Sequence, residues 1–147
     1  MKWIDLPPVW LALFAALGWA QARYLPVLSF GRWGDWIGAA LVLGGLGLML
    51  AAAVEMRRHR TTIIPHQIPD AMVSSGIFGI TRNPIYLGDA LVLAGLGLRW
   101  DSILAILSLP VFVRLVTKRF IEGEEARLRQ RFGPAFDDYS GRVRRWI

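Results

Sequence analysis

The sequence predicts an all-α, polytopic membrane protein of one domain, with about four transmembrane helices and a charged cytoplasmic helical tail. Three observations carry this. Hydrophobic residues make up 54% of the 147 positions and the mean hydropathy is +0.41, more than a soluble domain of this size can bury. The apolar residues fall in four runs separated by polar segments. The excess of basic charge, +6 overall, collects at the ends of those runs.

The first run, Pro8 to Leu28, is broken by Gln21 and Arg23. Lys2 is the one lysine before it and no convincing small-x-small cleavage site accompanies it, so it is expected to be a retained anchor. The second, Trp36 to Val54, has no charge. At ~1.5 Å per residue it nearly crosses a ~30 Å hydrocarbon core. Gly34 and Gly38, then Ala40 and Gly44, have the small-xxx-small spacing that lets helices approach, either within the chain or between subunits of an oligomer. These two helices occupy residues 1–56.

Residues 57–147 form the rest of the domain. A polar stretch from Glu55 to Thr81 contains Arg57, Arg58, His59, Arg60, Pro65 and Pro69 and is expected to be a loop folded against the membrane. Ile85 to Leu98 and Ile103 to Val116 flank the polar turn Arg99 to Ser102, which predicts a helical hairpin over 84–118. Each run is shorter than the roughly 20 residues of a standard span, so a re-entrant hairpin is the alternative to full crossing. In the tail, 119–147, Ile121, Glu125, Leu128 and Phe132 share a helix face. Gly133-Pro134 ends that helix, and a second short one follows over Ala135 to Val143.

An even number of crossings puts both termini on one side, with Lys2, Arg57, Arg58, Arg60, Arg82, Lys118, Arg119 and the basic tail. Only Arg23, Arg32 and Arg99 fall on the other, so the basic side is cytoplasmic. The same placement argues against a nucleic-acid partner, which would need one continuous basic stripe. The chain has no cysteine, which excludes disulfides, thiolate metal sites and cysteine nucleophiles, and with His59 and His66 as its two histidines no metal site is expected. The compact size and lack of targeting segments suggest a prokaryotic inner membrane.

Chemistry concentrates around Arg82-Asn83-Pro84-Ile85-Tyr86-Leu87-Gly88-Asp89. Asn83 suits an N-cap and Pro84 the first helical turn. Arg82, Tyr86 and Asp89 fall at i, i+4 and i+7, on one face near the cytoplasmic end of the third helix. Asp89 and Arg114 lie at similar depth, and pairing would spare both the cost of burial alone, which predicts an ion pair. Pro110 is expected to kink the fourth helix. Glu124 with Arg127, and Glu125 with Arg129, have the spacing of ordinary helical ion pairs.

This second half resembles the isoprenylcysteine carboxyl methyltransferase and phospholipid methyltransferase family. The shared elements run in order: Thr62 and Pro65, Gly76-Ile77-Phe78-Gly79, then Arg82-Asn83-Pro84-Ile85-Tyr86-Leu87-Gly88. After the hairpin come Arg119, Ile121, Glu124-Glu125-Ala126-Arg127-Leu128, Phe132-Gly133, Phe136, Tyr139, Val143 and Arg145-Trp146-Ile147. Family members often carry His at the Asn83 position and Tyr at that of Phe136. The resemblance implies an integral-membrane methyltransferase that uses S-adenosylmethionine. Its cofactor site would be built from Asn83, Pro84, Tyr86, Leu87, Gly88, Glu124 and Tyr139. Arg82 would hold a carboxylate or phosphate of the substrate, and Glu125 would orient the cofactor or the nucleophile. The acceptor would be lipophilic, a prenyl-type carboxylate, phospholipid amine, or small thiol or amine, entering from the bilayer between the third and fourth helices. Two alternatives stay open: an NADPH-dependent membrane reductase of the sterol-reductase type, and a non-catalytic membrane interaction module.

Overall fold

The computed structural model describes residues 6–61 and 71–147. The expectations on Lys2, Thr62, Pro65, His66 and Pro69 lie outside them. The described residues form helices and turns with no strand, so the protein is all-α. In order they are α1 (Pro7–Tyr24), α2 (Gly31–Arg58), a 3-10 turn (Gly76–Gly79), α3 (Pro84–Arg99), α4 (Ile103–Val116), a π-helical turn (Thr117–Ile121), α5 (Glu122–Phe132) and α6 (Pro134–Arg142).

Prolines open three of these helices, Pro7 in α1, Pro84 in α3 and Pro134 in α6. Their missing N–H falls where a helix leaves its first donors unpaired anyway. Gly133, with φ of 51°, turns the chain between α5 and α6 as expected of Gly-Pro. Among the described residues α2 alone is long and apolar enough, by length and composition, to cross a membrane. It exceeds the expected Trp36 to Val54 at both ends. α3 and α4, 16 and 14 residues, would by themselves reach only ~24 and ~21 Å. α4 does not stop at Val116, however. It runs on through the π turn into α5, so hairpin and tail share one continuous helix.

α2 and α3 lie antiparallel with their backbones in contact. A Cβ on Gly38 would sit 2.6 Å from the Gly95 carbonyl oxygen, and one on Gly45 2.6 Å from that of Gly88. Gly88 and Gly95 face α2 with the same lack of room. The expected second spacing, Ala40 with Gly44, is not used: both face outward, and Gly45 does the packing in their place. On its other sides α3 meets α4 and α1. Leu93, Ala105, Phe112, Val116, Phe120 and Ile121 form the buried core, closed by Trp10, Leu11 and Phe14 of α1 and by Trp146. Large apolar side chains remain exposed along α1, α2 and α4, among them Leu17, Trp36, Leu43, Leu50 and Leu107.

The expected Asp89–Arg114 pair does not form. Asp89 is buried at 4% exposure, while Arg114 is exposed. Arg114 is two residues from both Phe112 and Val116, the residues that face the core. Two residues turn a helix by ~200°, which points Arg114 away from α3.

At the end of the bundle away from the tail, the α3–α4 turn is tied to α1 and α2. Asp101, at φ of 57°, accepts hydrogen bonds from the Phe30 N–H (2.6 Å) and the Ser29 hydroxyl (3.1 Å). Gln21, which interrupts the first apolar run, accepts from the Ser102 hydroxyl (3.0 Å) and the Leu104 N–H (3.1 Å). Replacing Asp101 by Ala is expected to cost about 1–3 kcal/mol through the orphaned Phe30 N–H, with a further ~1 kcal/mol from alanine at positive φ. Asn should cost less, since it keeps an acceptor and tolerates that conformation. Thermal unfolding of both variants in detergent checks this order.

Candidate active site

The residues singled out around Arg82 and Glu124 meet at one cavity of about 530 Å³. Its walls come from the start of α1, the end of α2, residues 71–73, Phe78, the start of α3, α5 and α6. Arg82, Asn83, Pro84, Tyr86, Glu124, Glu125 and Tyr139 all line it. So does Asp89, and the expected stripe of Arg82, Tyr86 and Asp89 therefore faces one space.

Leu87 and Gly88 are not on the wall. A Cβ on Gly88 would meet the Gly45 carbonyl and the Met49 side chain, so this glycine serves the α2–α3 contact. α4 contributes no lining residue, whereas Leu6, Pro7 and Pro8 of α1 and Met49, Ala53 and Met56 of α2 do. The cavity is therefore not walled by the fourth helix, where entry was expected, but by α1 and α2.

Tyr86 sits on the first turn of α3, and its ring stacks on Phe120 at 6.3 Å. Its hydroxyl donates to Glu124 Oε1 at 2.7 Å, joining α3 to α5. The π turn just before α5 adds a residue to the helix while keeping Phe120 and Ile121 both buried. Glu124 and Glu125 are thereby brought to the cavity together.

Glu125 is clamped. Arg145 donates to it through Nε (3.0 Å) and Nη2 (2.7 Å), and Arg82 Nη2 approaches to 3.4 Å. The expected Glu125–Arg129 helical pair is absent, because Arg129 instead reaches Asp137 at 2.8 Å and lies over the Phe136 ring. Chain folding brings Arg145 to Glu125 and so outcompetes the local spacing.

The carboxy-terminal segment is what delivers Arg145. The Arg82 N–H donates to the Arg144 carbonyl at 3.0 Å, and the Asn83 side-chain amide donates to the Arg145 carbonyl at 2.9 Å. Asn83 therefore makes no side-chain cap to α3, contrary to expectation. Its amide is used to hold the strap instead, while its own N–H donates to the Thr81 hydroxyl. Tyr139 donates to the Phe78 carbonyl at 2.7 Å, and burial pushes its phenol up to about 12. It stays a protonated donor at neutral pH, with its ring against the cavity.

Five buried side-chain polar atoms lack a hydrogen-bond partner among the described residues, and four belong to residues of this cavity: Thr61 Oγ1, Arg82 Nε, Asp89 Oδ2 and Arg127 Nε. Leaving such groups unpaired costs about 1–3 kcal/mol each, more if charged, so their concentration in one space marks a place for a polar ligand. The volume suits a small molecule, whose sites span about 300–1,000 Å³. The sequence pairs Asp89 with Arg114 by depth and Arg127 with Glu124 by spacing, without placing Arg127 at the site, yet Asp89 and Arg127 both line this cavity. Met49, Ala53 and Met56, at i, i+4 and i+7 on α2, carried a legible stripe; Leu6 to Pro8 carried no signal.

The phospholipid methyltransferase family model matches residues 33–135, from α2 to the start of α6, and so extends on the amino-terminal side beyond the resemblance seen from Thr62 onward. The nickel-cobalt-cadmium resistance protein NccN of Alcaligenes xylosoxydans xylosoxydans is 30% identical over 118 residues, 80% of this chain and 54% of that protein. The chain thus spans about half the length of this curated relative. With the family model covering most of the helical core and the walls contributed by α2, α3 and α5, the chain belongs to the phospholipid methyltransferase family.

Proposed function

We propose that the protein is a multi-pass membrane enzyme that moves the methyl group of S-adenosylmethionine to a lipophilic acceptor. The observation that carries this reading is the set of four unpartnered buried polar atoms in one largely apolar cavity at the end of the bundle where α5 and α6 close over α3. Family membership supports the reaction class.

In this reading α1 to α4 cross the bilayer, with both termini on the cytoplasmic side of a prokaryotic inner membrane. The exposed apolar faces of α1, α2 and α4 support lipid contact. The basic residues at the cavity end, Arg57, Arg58, Arg82, Lys118 and Arg119, support the orientation.

The residues fit a nucleoside sulfonium with an amino-acid tail. The bound cofactor supplies a methyl already activated by positive sulfur. Glu124, oriented by the Tyr86 hydroxyl, accepts from hydroxyl or amino donors. The first turn of α3 presents free N–H groups after Pro84. The Tyr86 and Tyr139 rings offer π faces to a cation. Arg82 keeps Nε free for a phosphate or carboxylate, and Glu125, saturated by two guanidiniums, acts as a positioning residue that holds Arg82. The apolar wall from α1 and α2 takes the acceptor's hydrocarbon part. Catalysis is then alignment and water exclusion.

Calorimetric titration of detergent-purified protein with S-adenosylhomocysteine, beside NADPH, tests this. Binding of the homocysteine analogue and not of NADPH is expected. NADPH binding alone would favour the reductase, and binding of neither by folded protein the non-catalytic module.

A further inference from the structure

Arg114 is a charged group that the cavity does not use, since α4 contributes nothing to its walls. It shares the outward face of α4 with Leu104, Leu107 and Val111, all exposed, while Ala105 and Phe112 on the other side meet α1. Lys118, four residues further on in the π turn, is exposed as well. Among the described residues neither cation has a hydrogen bond or an ion pair.

The depth of Arg114 follows from the helix contacts. Gly97 of α3 meets Ala105, and the Tyr86 ring stacks on that of Phe120. Arg114 lies between these two crossings and is therefore within a turn of the level of Gly88. Gly88 in turn meets Gly45 of α2. Gly45 is the centre of the charge-free run Trp36 to Val54, nine residues or ~14 Å from either end. Arg114 thus faces outward at the depth where α2 is most apolar. Its Cα–Cβ bond leans toward the start of α4, away from the cytoplasmic surface, which works against snorkelling. A lone cation facing hydrocarbon at that level is costly.

We propose that this face of α4 holds the phosphate of an anionic phospholipid between Arg114 and Lys118, in a cytoplasmic leaflet drawn inward beside α4. This rests on the multi-pass part of the reading above and is independent of methyl transfer. Ile103 to Val113 gives only ~16 Å of uncharged helix, against ~28 Å for Trp36 to Val54. A bilayer thins to match a short apolar stretch. The guanidinium supplies paired donors to the phosphate and the ammonium a point charge. Val111, Leu107 and Leu104 continue below as an apolar track for one acyl chain. A second copy applied through the same face would set Arg114 against Arg114, since α4 has no acidic residue.

The chain has no cysteine, so Val111→Cys gives a single labelling site on this face, and Leu43→Cys one on the outward face of α2. Each full-length protein, carrying a fluorophore there in phosphatidylcholine nanodiscs, is titrated with phosphatidylglycerol or phosphatidylcholine bearing a nitroxide at the head end of one acyl chain. At Val111 the anionic lipid is expected to quench at about 10–30-fold lower content than the zwitterionic one, the factor that two basic side chains give at an anionic surface. At Leu43 the two lipids should quench alike. Arg114→Gln and Lys118→Gln should each lower the preference about fivefold and together erase it, with quenching at Leu43 showing that the variants insert. Equal quenching by both lipids at Val111 overturns the proposal, as does a preference that survives in the double variant. A Val111 label shielded from both lipids while the Leu43 label is quenched overturns it too, by placing protein over α4. Absence of quenching at both positions in folded protein would overturn the multi-pass reading itself, and the lipid site with it.

Discussion

Glu124→Ala is expected to weaken S-adenosylhomocysteine binding by about 10–100-fold, the loss of about 1.5–3 kcal/mol from a charged hydrogen bond in a sheltered site. The substitution removes the acceptor that the proposed function assigns to the cofactor and also strands the Tyr86 hydroxyl, now 2.7 Å from Glu124 Oε1 and buried under α5. Tyr86→Phe should show the smaller part of the effect, about tenfold or less, because Glu124 itself remains. Arg129→Ala on the exposed side of α5, where Arg129 pairs with Asp137 and lies over Phe136, should leave binding unchanged. Calorimetric titration of the three variants checks the order. Equal affinity in Glu124→Ala and wild type would remove Glu124 from the cofactor site.

The second large effect is on the scaffold. Gly45→Leu is expected to destabilise the protein by about 3 kcal/mol or more, since overpacking here meets backbone and not a side chain that can rotate away. The new Cβ would lie 2.6 Å from the Gly88 carbonyl and 2.9 Å from a Val92 methyl, so α2 must lift off α3. That corresponds to a fall of about 10 °C in the unfolding temperature. The neighbouring Gly44→Leu and Gly47→Leu should be nearly neutral, because nothing lies within 4 Å of either added Cβ. The contrast among three glycines within one turn is the useful readout. Uniform tolerance would mean that the α2–α3 backbone contact does not form in detergent. Lifting α2 also moves Met49, Ala53 and Met56 out of the cavity wall, so ligand affinity should fall in Gly45→Leu alone.

Much of the site was legible because the relevant residues lie within one helical turn or two of each other. Arg82, Tyr86 and Asp89 were expected on one face, and all three line the cavity, Tyr86 and Asp89 from the helix beginning at Pro84 and Arg82 from the turn before it. The breaks at Gly133-Pro134 and at Arg99 to Ser102 were legible for the same reason, since turn chemistry is local. The misassigned contacts are those where a local partner competes with a distant one. Spacing offered Arg129 to Glu125, yet Arg145 reaches it with a two-pronged contact from 20 residues away. Spacing and depth offered Arg114 to Asp89, yet the phase of α4 is set by Phe112 and Val116. Asn83 looked like a cap and became an anchor for the carboxy-terminal strap.

The sequence by itself determined the all-α class, the second helix as apolar and long enough to span a bilayer, the turns between helices and the polar residues near the tail end. These follow from period, composition and Pro-Gly punctuation, which act over a few residues. Only the tertiary structure decided which glycines face α3, that Glu125 is held between two arginines, that Asp89 Oδ2 has no partner among the described residues, and that α1 and α2 supply the apolar wall of the cavity. Those outcomes depend on the rotation of each helix about its axis. That rotation is set by packing summed over the whole interface, and a change of one residue in register, as at the π turn, redirects every side chain beyond it by ~100°.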